Sequence, residues 1–235
     1  MSNNLQEIIH TYRGRRVLVT GATGFKGSWL CLWLQHMGAD VLGIGLEPPS
    51  TPSMHMALEL DKQVPTRRVD IKNQADITTC IQTFRPEIIL HLAAQALVRP
   101  SYADPINTLN TNIMGTAHIL EAARQCDSIR AVVIVTSDKC YRNNEWVWGY
   151  RENDPMGGHD PYSASKGCAE LVTASYIKSF FAQETYGRTH HVAVASARAG
   201  NAIGGGDWGK DRLIPDCFRA LHESKPIHIR YPSAV

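Results

Sequence analysis

Apolar residues fall along this chain in short runs rich in branched side chains, separated by longer stretches in which apolar positions recur every three or four residues. The runs are RRVLVT at 15–20, ADVLGIGL at 39–46, PEIILHLAA at 86–94, IRAVVIVTS at 129–137 and HVAVASAR at 191–198. Their unbroken apolar character predicts strands buried on both faces. TRRVDI at 66–71 supplies a further strand. Helical spacing covers Gly24–Met37, Asn73–Phe84, Thr108–Gln125 and Tyr162–Phe181. Strand and helix alternate, so the pattern predicts an α/β fold with a doubly wound parallel sheet of Rossmann type. Periodicity leaves the strand order open.

After Asn201 the texture changes to a glycine-rich loop, a helical stretch near Leu213–His222 and then IHIR at 227–230. Residues 1–200 therefore read as one α/β domain and 201–235 as the beginning of a smaller C-terminal domain, on a chain that looks truncated. RNNEWVWGYRENDPMGGHD at 142–160 is longer than the usual connection of about 4–6 residues, and loops of that length often carry function.

Charge narrows the partners. The 235 residues carry a formal net charge of +2, with basic residues scattered through the chain, so no stripe suits a nucleic-acid backbone or an anionic membrane. The first residues hold no apolar stretch of signal-peptide length, and no run approaches the roughly 20 apolar residues of a spanning helix, so a soluble, cytoplasmic protein is expected. Cysteines at 31, 80, 126, 140, 168 and 217 form no CxxC pair, so neither a metal site nor a dithiol motif is expected.

Chemistry concentrates at three places. The first strand runs into TGATGFKG, with Gly21, Gly24 and Gly27 in GxxGxxG spacing around Thr23, Phe25 and Lys26. Between a strand and a helix, such glycines permit a tight turn and close approach of a pyrophosphate to the helix N–H groups. An acidic group for the adenosine ribose belongs at the end of the second strand. Glu47 stands there slightly late, with no arginine in the segment to receive a 2′-phosphate, which favours NAD. Asp70-Ile71 reads either as an adenine contact or, for Asp70, as a helix N-terminal residue. Tyr162 and Lys166 lie four apart on one helix face, where an ammonium and a cationic nicotinamide favour the phenolate. Ser137, Asp138 and Lys139 end the fourth strand, on the side of an α/β sheet that holds ligands.

TGATGFKG, HLAAQ at 91–95, TSDK at 136–139 and PYSASK at 161–166 together resemble the extended short-chain dehydrogenase/reductase family, over essentially the whole chain. GATGFKGSWLCLWL, LEPPSTPS at 46–53, HLAAQALVRPSY, SDKCY and GNAIGGGDW are similar to the branch acting on CDP-glucose. In the related dTDP-glucose branch, Thr-Asp-Glu stands where this chain has Ser137-Asp138-Lys139. The resemblance implies NAD-dependent dehydration of a nucleotide sugar, feeding deoxysugar and O-antigen synthesis. Tyr162, Lys166 and Ser137 would serve oxidation at C4, with Lys139 as base at C5 and Asp138 as acid at C6. It also implies that Leu92, Ala93, Ala94 and Gln95 line the cofactor and that Arg99 and Asn201 face the substrate. Asn112 would sit under the site, and Arg198 reads equally as a structural strand-end residue. A homodimer through the Thr108–Gln125 and Tyr162–Phe181 helices is the family expectation. The rivals are a nucleotide-sugar 4-epimerase, which needs no acid–base pair for water loss, and a silent NAD-binding regulatory protein.

Overall fold

All five apolar runs become strands of one parallel sheet, joined by a three-residue strand from TRRVDI. A computed structural model describes residues 3–229 and Pro232, which leaves Arg230 of the IHIR segment outside the described residues. The strands are β1 (Arg16–Thr20), β2 (Asp40–Gly45), β3 (Thr66–Arg68), β4 (Ile88–His91), β5 (Ala131–Val135) and β6 (Ala193–Ala197). They lie in the order β3-β2-β1-β4-β5-β6, the doubly wound arrangement of a Rossmann sheet. The order reverses between β1 and β4, and this switch point opens the crevice in which such sheets bind ligands.

Both faces of β1 are dry, which is why its sequence shows no polar alternation. Val17 and Val19 pack with Cys31 and Leu34 of α2 (Phe25–His36). Leu18 points the other way, into a layer containing Ile77 and Ile81 of α4 (Gln74–Phe84) and Ile119 and Leu120 of α7 (Gly115–Arg124). β6 departs from the expectation of burial on both faces: it is an edge strand, and Ala193, Ala195 and Ala197 are exposed. Its apolar run is largely alanine, so it is compatible with a half-covered position.

Two helices start where the sequence supplies caps. Asn73 accepts from Ala75 N and Asp76 N at the start of α4, so the cap is Asn73 and not Asp70. Asp160 accepts from Ser163 N at 2.9 Å, and Pro161 opens α8 (Pro161–Phe180). The helix expected from Thr108 begins earlier: α6 (Pro105–Leu109) runs through a π turn at Asn110–Met114 into α7. Outside the expectation are α1 (Asn3–Tyr12), whose Ile9 and Tyr12 pack on the α2 layer, α3 (Met54–Ala57) and α5 (Val98–Ala103). The tail helix α9 (Leu213–His222) lies where the spacing puts it. Among the described residues no helix is long and apolar enough to cross a membrane.

Candidate active site

The turn after β1 is set by steric limits. Gly21 has φ +74°, and a Cβ there would meet Ala93 N at 2.8 Å, so the turn lies directly against the end of β4. A Cβ on Gly27 would stand 2.0 Å from Gly21 O, so α2 begins pressed onto the same turn. Gly24 caps α2 without a side-chain hydrogen bond, leaving the first-turn N–H groups of Phe25, Lys26 and Gly27 to an outside acceptor. These residues fit a dinucleotide pyrophosphate. A Cβ on Gly45 would meet Thr23 Oγ1 at 2.8 Å, so Thr23 occupies the space beside the end of β2.

The ribose end differs from its sequence reading in one respect. An arginine does stand beside Glu47: Arg68 Nε donates to Glu47 Oε1 at 2.9 Å, and its Nη2 lies 3.6 Å from Asp61 Oδ2. It comes from β3, whose register sets Arg68 opposite Gly45. Two carboxylates thus neutralise the one guanidinium there. Asp70 is half-exposed and accepts from Lys72 N at 2.9 Å, while Ile71 is buried against α7.

At the carboxyl end of β5 the expected reactive groups meet. Ser137 donates to Asp138 Oδ1 at 2.9 Å and also hydrogen-bonds the Tyr162 hydroxyl. Burial pushes the Tyr162 phenol up, and the Ser137 hydrogen bond opposes that rise. Lys166 is 7% exposed and donates to Val135 O at 3.3 Å. Burial, followed by the charge of Lys26, lowers its ammonium to about 8. Lys26 is itself lowered by burial and by Arg212. The cradle, the catalytic helix and the tail loop therefore bring three cations close together, a field suited to a phosphate-bearing ligand. Asp138 and Lys139 are exposed.

Below this cluster lies a buried network. Thr20 Oγ1 accepts from Leu92 N and Ala93 N at 3.1 and 3.0 Å and lies 2.7 Å from His91 Nδ1. His91 Nε2 is 3.4 Å from Thr116 Oγ1, which donates to Asn112 O. Burial, with a smaller contribution from Lys166, pushes His91 down to about 3. The π turn aims Asn112 inward. Its side chain accepts from Gln95 N, and it donates to Gln95 O and, at 2.8 Å, to Ser165 Oγ. Asn112 therefore does sit under the site and fixes α8 to the end of β4.

Not every expected residue joins. Leu92, Ala93 and Ala94 border the crevice at the end of β4, but the Gln95 amide is turned back on Leu97 and Thr108. Arg99 is exposed and pairs with Asp211 at 3.2 Å, and Asn201 is exposed in the loop after β6. That loop folds over the start of α2, where Trp29 donates to Gly205 O at 2.9 Å and Gly204 packs on Phe25. Arg198 belongs to the structural reading, in a buried pair with Glu170. Thr20, Glu170, Arg212 and Ser101, whose Oγ accepts from Tyr162 N at 3.2 Å, were not singled out from the sequence. Of the four, Glu170 had a signal, a carboxylate one turn beyond Lys166 on a helix that buries that face.

A family model described as GDP-mannose 4,6 dehydratase matches residues 18–199. A curated CDP-glucose 4,6-dehydratase from Salmonella typhimurium is 54% identical over 95% of this chain and 62% of its own length. A UDP-glucose 4-epimerase from Mycolicibacterium smegmatis is 35% identical over 68% of this chain and 51% of its own. The chain thus spans about three fifths or less of these curated relatives. Among solved structures, UDP-glucuronic acid 4-epimerase from Bacillus cereus, in complex with UDP-glucuronic acid and NAD, matches with a TM-score of 0.75 at 26% identity, over 90% of this chain and 64% of that one. DesIV, a dTDP-glucose 4,6-dehydratase from Streptomyces venezuelae, shares the fold with a TM-score of 0.74 at 23% identity, over 89% of this chain and 62% of its own.

Proposed function

The chain belongs to the GDP-mannose 4,6 dehydratase family of extended short-chain dehydrogenase/reductases, and on that premise we propose that the protein carrying it is an NAD-dependent lyase that removes water from CDP-glucose. The product is CDP-4-keto-6-deoxyglucose, an intermediate for deoxysugar and O-antigen synthesis. The observation that carries this reading is the hydrogen-bonded row Tyr162–Ser137–Asp138, with Lys139 beside it and Lys166 one turn along α8. A 4-epimerase needs the tyrosine and lysine but has no use for the adjoining acid and base.

Bound NAD would accept a hydride from C4 of the sugar and return it to C6, so that it is not consumed. Tyr162 takes the 4-hydroxyl proton, helped by the Lys166 charge and by Ser137. The C4 ketone acidifies C5. Lys139 Nζ then removes the C5 proton, the C6–O bond breaks as a C5–C6 double bond forms, and Asp138 protonates the departing hydroxyl as water; as hydride arrives at C6, the Lys139 ammonium returns its proton to C5. Ser137 occupies Asp138 Oδ1, which leaves Oδ2 to carry that proton. Residues 1–200 hold the cofactor at Gly21, Thr23, Gly24, Phe25, Lys26, Gly27, Asp70 and Ile71, and residues 201–235 begin the substrate-binding part. Arg99 and Asn201, which stand outside the cluster around Tyr162, would meet the sugar nucleotide only at its far end, with Arg99 leaving Asp211 to do so.

Incubating the protein with NAD and CDP-glucose should yield a 4-keto product lighter by one water, with little from dTDP- or UDP-glucose. Lys139→Ala should slow water loss by about 100-fold. Epimerised sugar with no loss of water, or NAD binding without turnover, would replace this reading with the epimerase or the silent binder. Normal elimination by Lys139→Ala would remove Lys139 from its role.

The six thiols are all free, as suits a reducing compartment, and we propose a cytoplasmic homodimer. Leu171 is 61% exposed on α8, on one face with exposed Ala174 and Ser175, a flat surface for helix–helix packing. Leu171→Glu should halve the mass seen by sedimentation at micromolar concentration, and a dimer that survives the change would place the interface elsewhere.

A further inference from the structure

The turn that carries Asp138 and Lys139 is short and exposed, yet acid–base work at two neighbouring carbons needs both groups held in place. One buried ion pair reaches both of its ends. Glu170 of α8, with its side chain only 6% exposed, accepts from Arg198 at 2.9 Å and from Ser196 Oγ at 2.8 Å. It also accepts a short hydrogen bond from Thr136 Oγ1, the residue just before Ser137. Arg198 donates its other terminal nitrogen to the Tyr141 hydroxyl at 2.8 Å, one residue beyond Cys140, and to Glu152 O at 2.8 Å. Its guanidinium lies 4.9 Å from the Tyr141 ring centre, and that ring stacks on Tyr150 at 5.1 Å. Backbone bonds complete the frame, from Thr136 N to Ala197 O at 2.9 Å and from Asp138 N to Ala199 O at 3.1 Å.

Burial alone would raise the Glu170 carboxyl, but hydrogen bonds from Arg198, Thr136 and Ser196 hold it below the usual range, so the pair stays charged. A buried pair of this kind adds little net stability over an apolar filling, and its attested use is to fix one geometry. Here the two ends of the fixed geometry are Thr136 and Tyr141, and the groups between them are Ser137, Asp138 and Lys139.

We propose that Glu170 and Arg198 are positioning residues for the elimination step, clamping both ends of the turn that presents Asp138 and Lys139 without touching the sugar. This rests on the dehydratase reading. It bears more on one half of the reaction than on the other: Tyr162 and Lys166 are set by their own helix and the Asn112 network, whereas Asp138 and Lys139, with the assisting Ser137, depend on the clamp.

The test removes one hydroxyl at each end. Tyr141→Phe keeps the ring beneath Arg198 and loses the acceptor of Arg198; Thr136→Val keeps the branched side chain at the front and loses the donor to Glu170. In the protein carrying this chain, loaded with NAD and mixed rapidly with CDP-glucose, absorbance near 340 nm reports the reduced cofactor, and mass spectrometry reports loss of water. Each variant should form reduced cofactor within about threefold of the wild-type rate and then stall, with water loss slowed by about 10- to 100-fold and KM little changed. Elimination at the wild-type rate in Tyr141→Phe would overturn the clamp. So would oxidation and elimination slowing in step with a lowered melting temperature, the mark of a merely structural pair. Wild-type protein that never releases water would overturn the dehydratase reading instead, before any variant is examined.

Discussion

Replacing Tyr162 with phenylalanine should lower turnover by roughly a thousandfold or more while leaving NAD affinity within a few-fold of wild type. The hydroxyl meets Ser137, and Ser137 already gives its proton to Asp138, so its loss strands no buried donor. Tyr162 is 8% exposed, and the phenylalanine ring fills the same space. Burial raises the free phenol above its ordinary value, so at neutral pH it surrenders a proton only where positive charge is supplied. Arg212 supplies part of it and Lys166 stands one turn along α8, and the lowering of Lys166 to about 8 means that its charge fades as pH climbs past that value. Steady-state kinetics with a parallel fluorescence titration of NAD separates the two effects. A Phe variant retaining more than about a tenth of the turnover would show that another group takes the proton.

Gly27→Ala should be the most damaging single methyl in the chain. The added carbon would sit 2.0 Å from Gly21 O and 2.9 Å from Ala22 Cα, both backbone atoms, so no side chain can swing aside. Overpacking of this kind costs typically 1–3 kcal/mol and more where the backbone must move. In a chain of this size each kcal/mol lowers the melting temperature by about 2–4 °C, so a fall of roughly 5–10 °C is expected. Pushing α2 outward also moves its first-turn N–H groups off the pyrophosphate, so NAD binding should be lost even below the melting point. Calorimetry and NAD titration of the same sample check both. Unchanged binding would mean that the cradle tolerates displacement and that the glycine serves packing alone.

The sheet was legible because strands buried on two faces need unbroken apolar runs, and few other structures do. β6 misled for the same reason: alanine counts as apolar but asks for little burial. The Tyr162–Lys166 pair was legible through helical spacing after the Asp160-Pro161 start. Arg68 was not, because β3 is three residues long with exposed arginines, and only its register beside β2 brings it to Glu47. Nor could spacing show that residues 20, 91, 112 and 116 touch, since their meeting depends on β1 and β4 being neighbours across the switch point. The α1 helix was readable in principle from the helical spacing of Leu5, Ile8, Ile9 and Tyr12.

The network beneath the site has a polarity. Thr20 spends both lone pairs on the N–H groups of Leu92 and Ala93, so its proton must point at His91 Nδ1. The neutral imidazole is thereby locked into the tautomer protonated at Nε2, which donates to Thr116, and Thr116 donates in turn to Asn112 O. From Thr20 onward the arrows run one way, from β1 through His91 and Thr116 to the π turn at Asn112. A histidine held at about 3 keeps the floor of the crevice neutral across the physiological interval, and leaves Lys166, lowered to about 8, as the group beside it whose charge changes there.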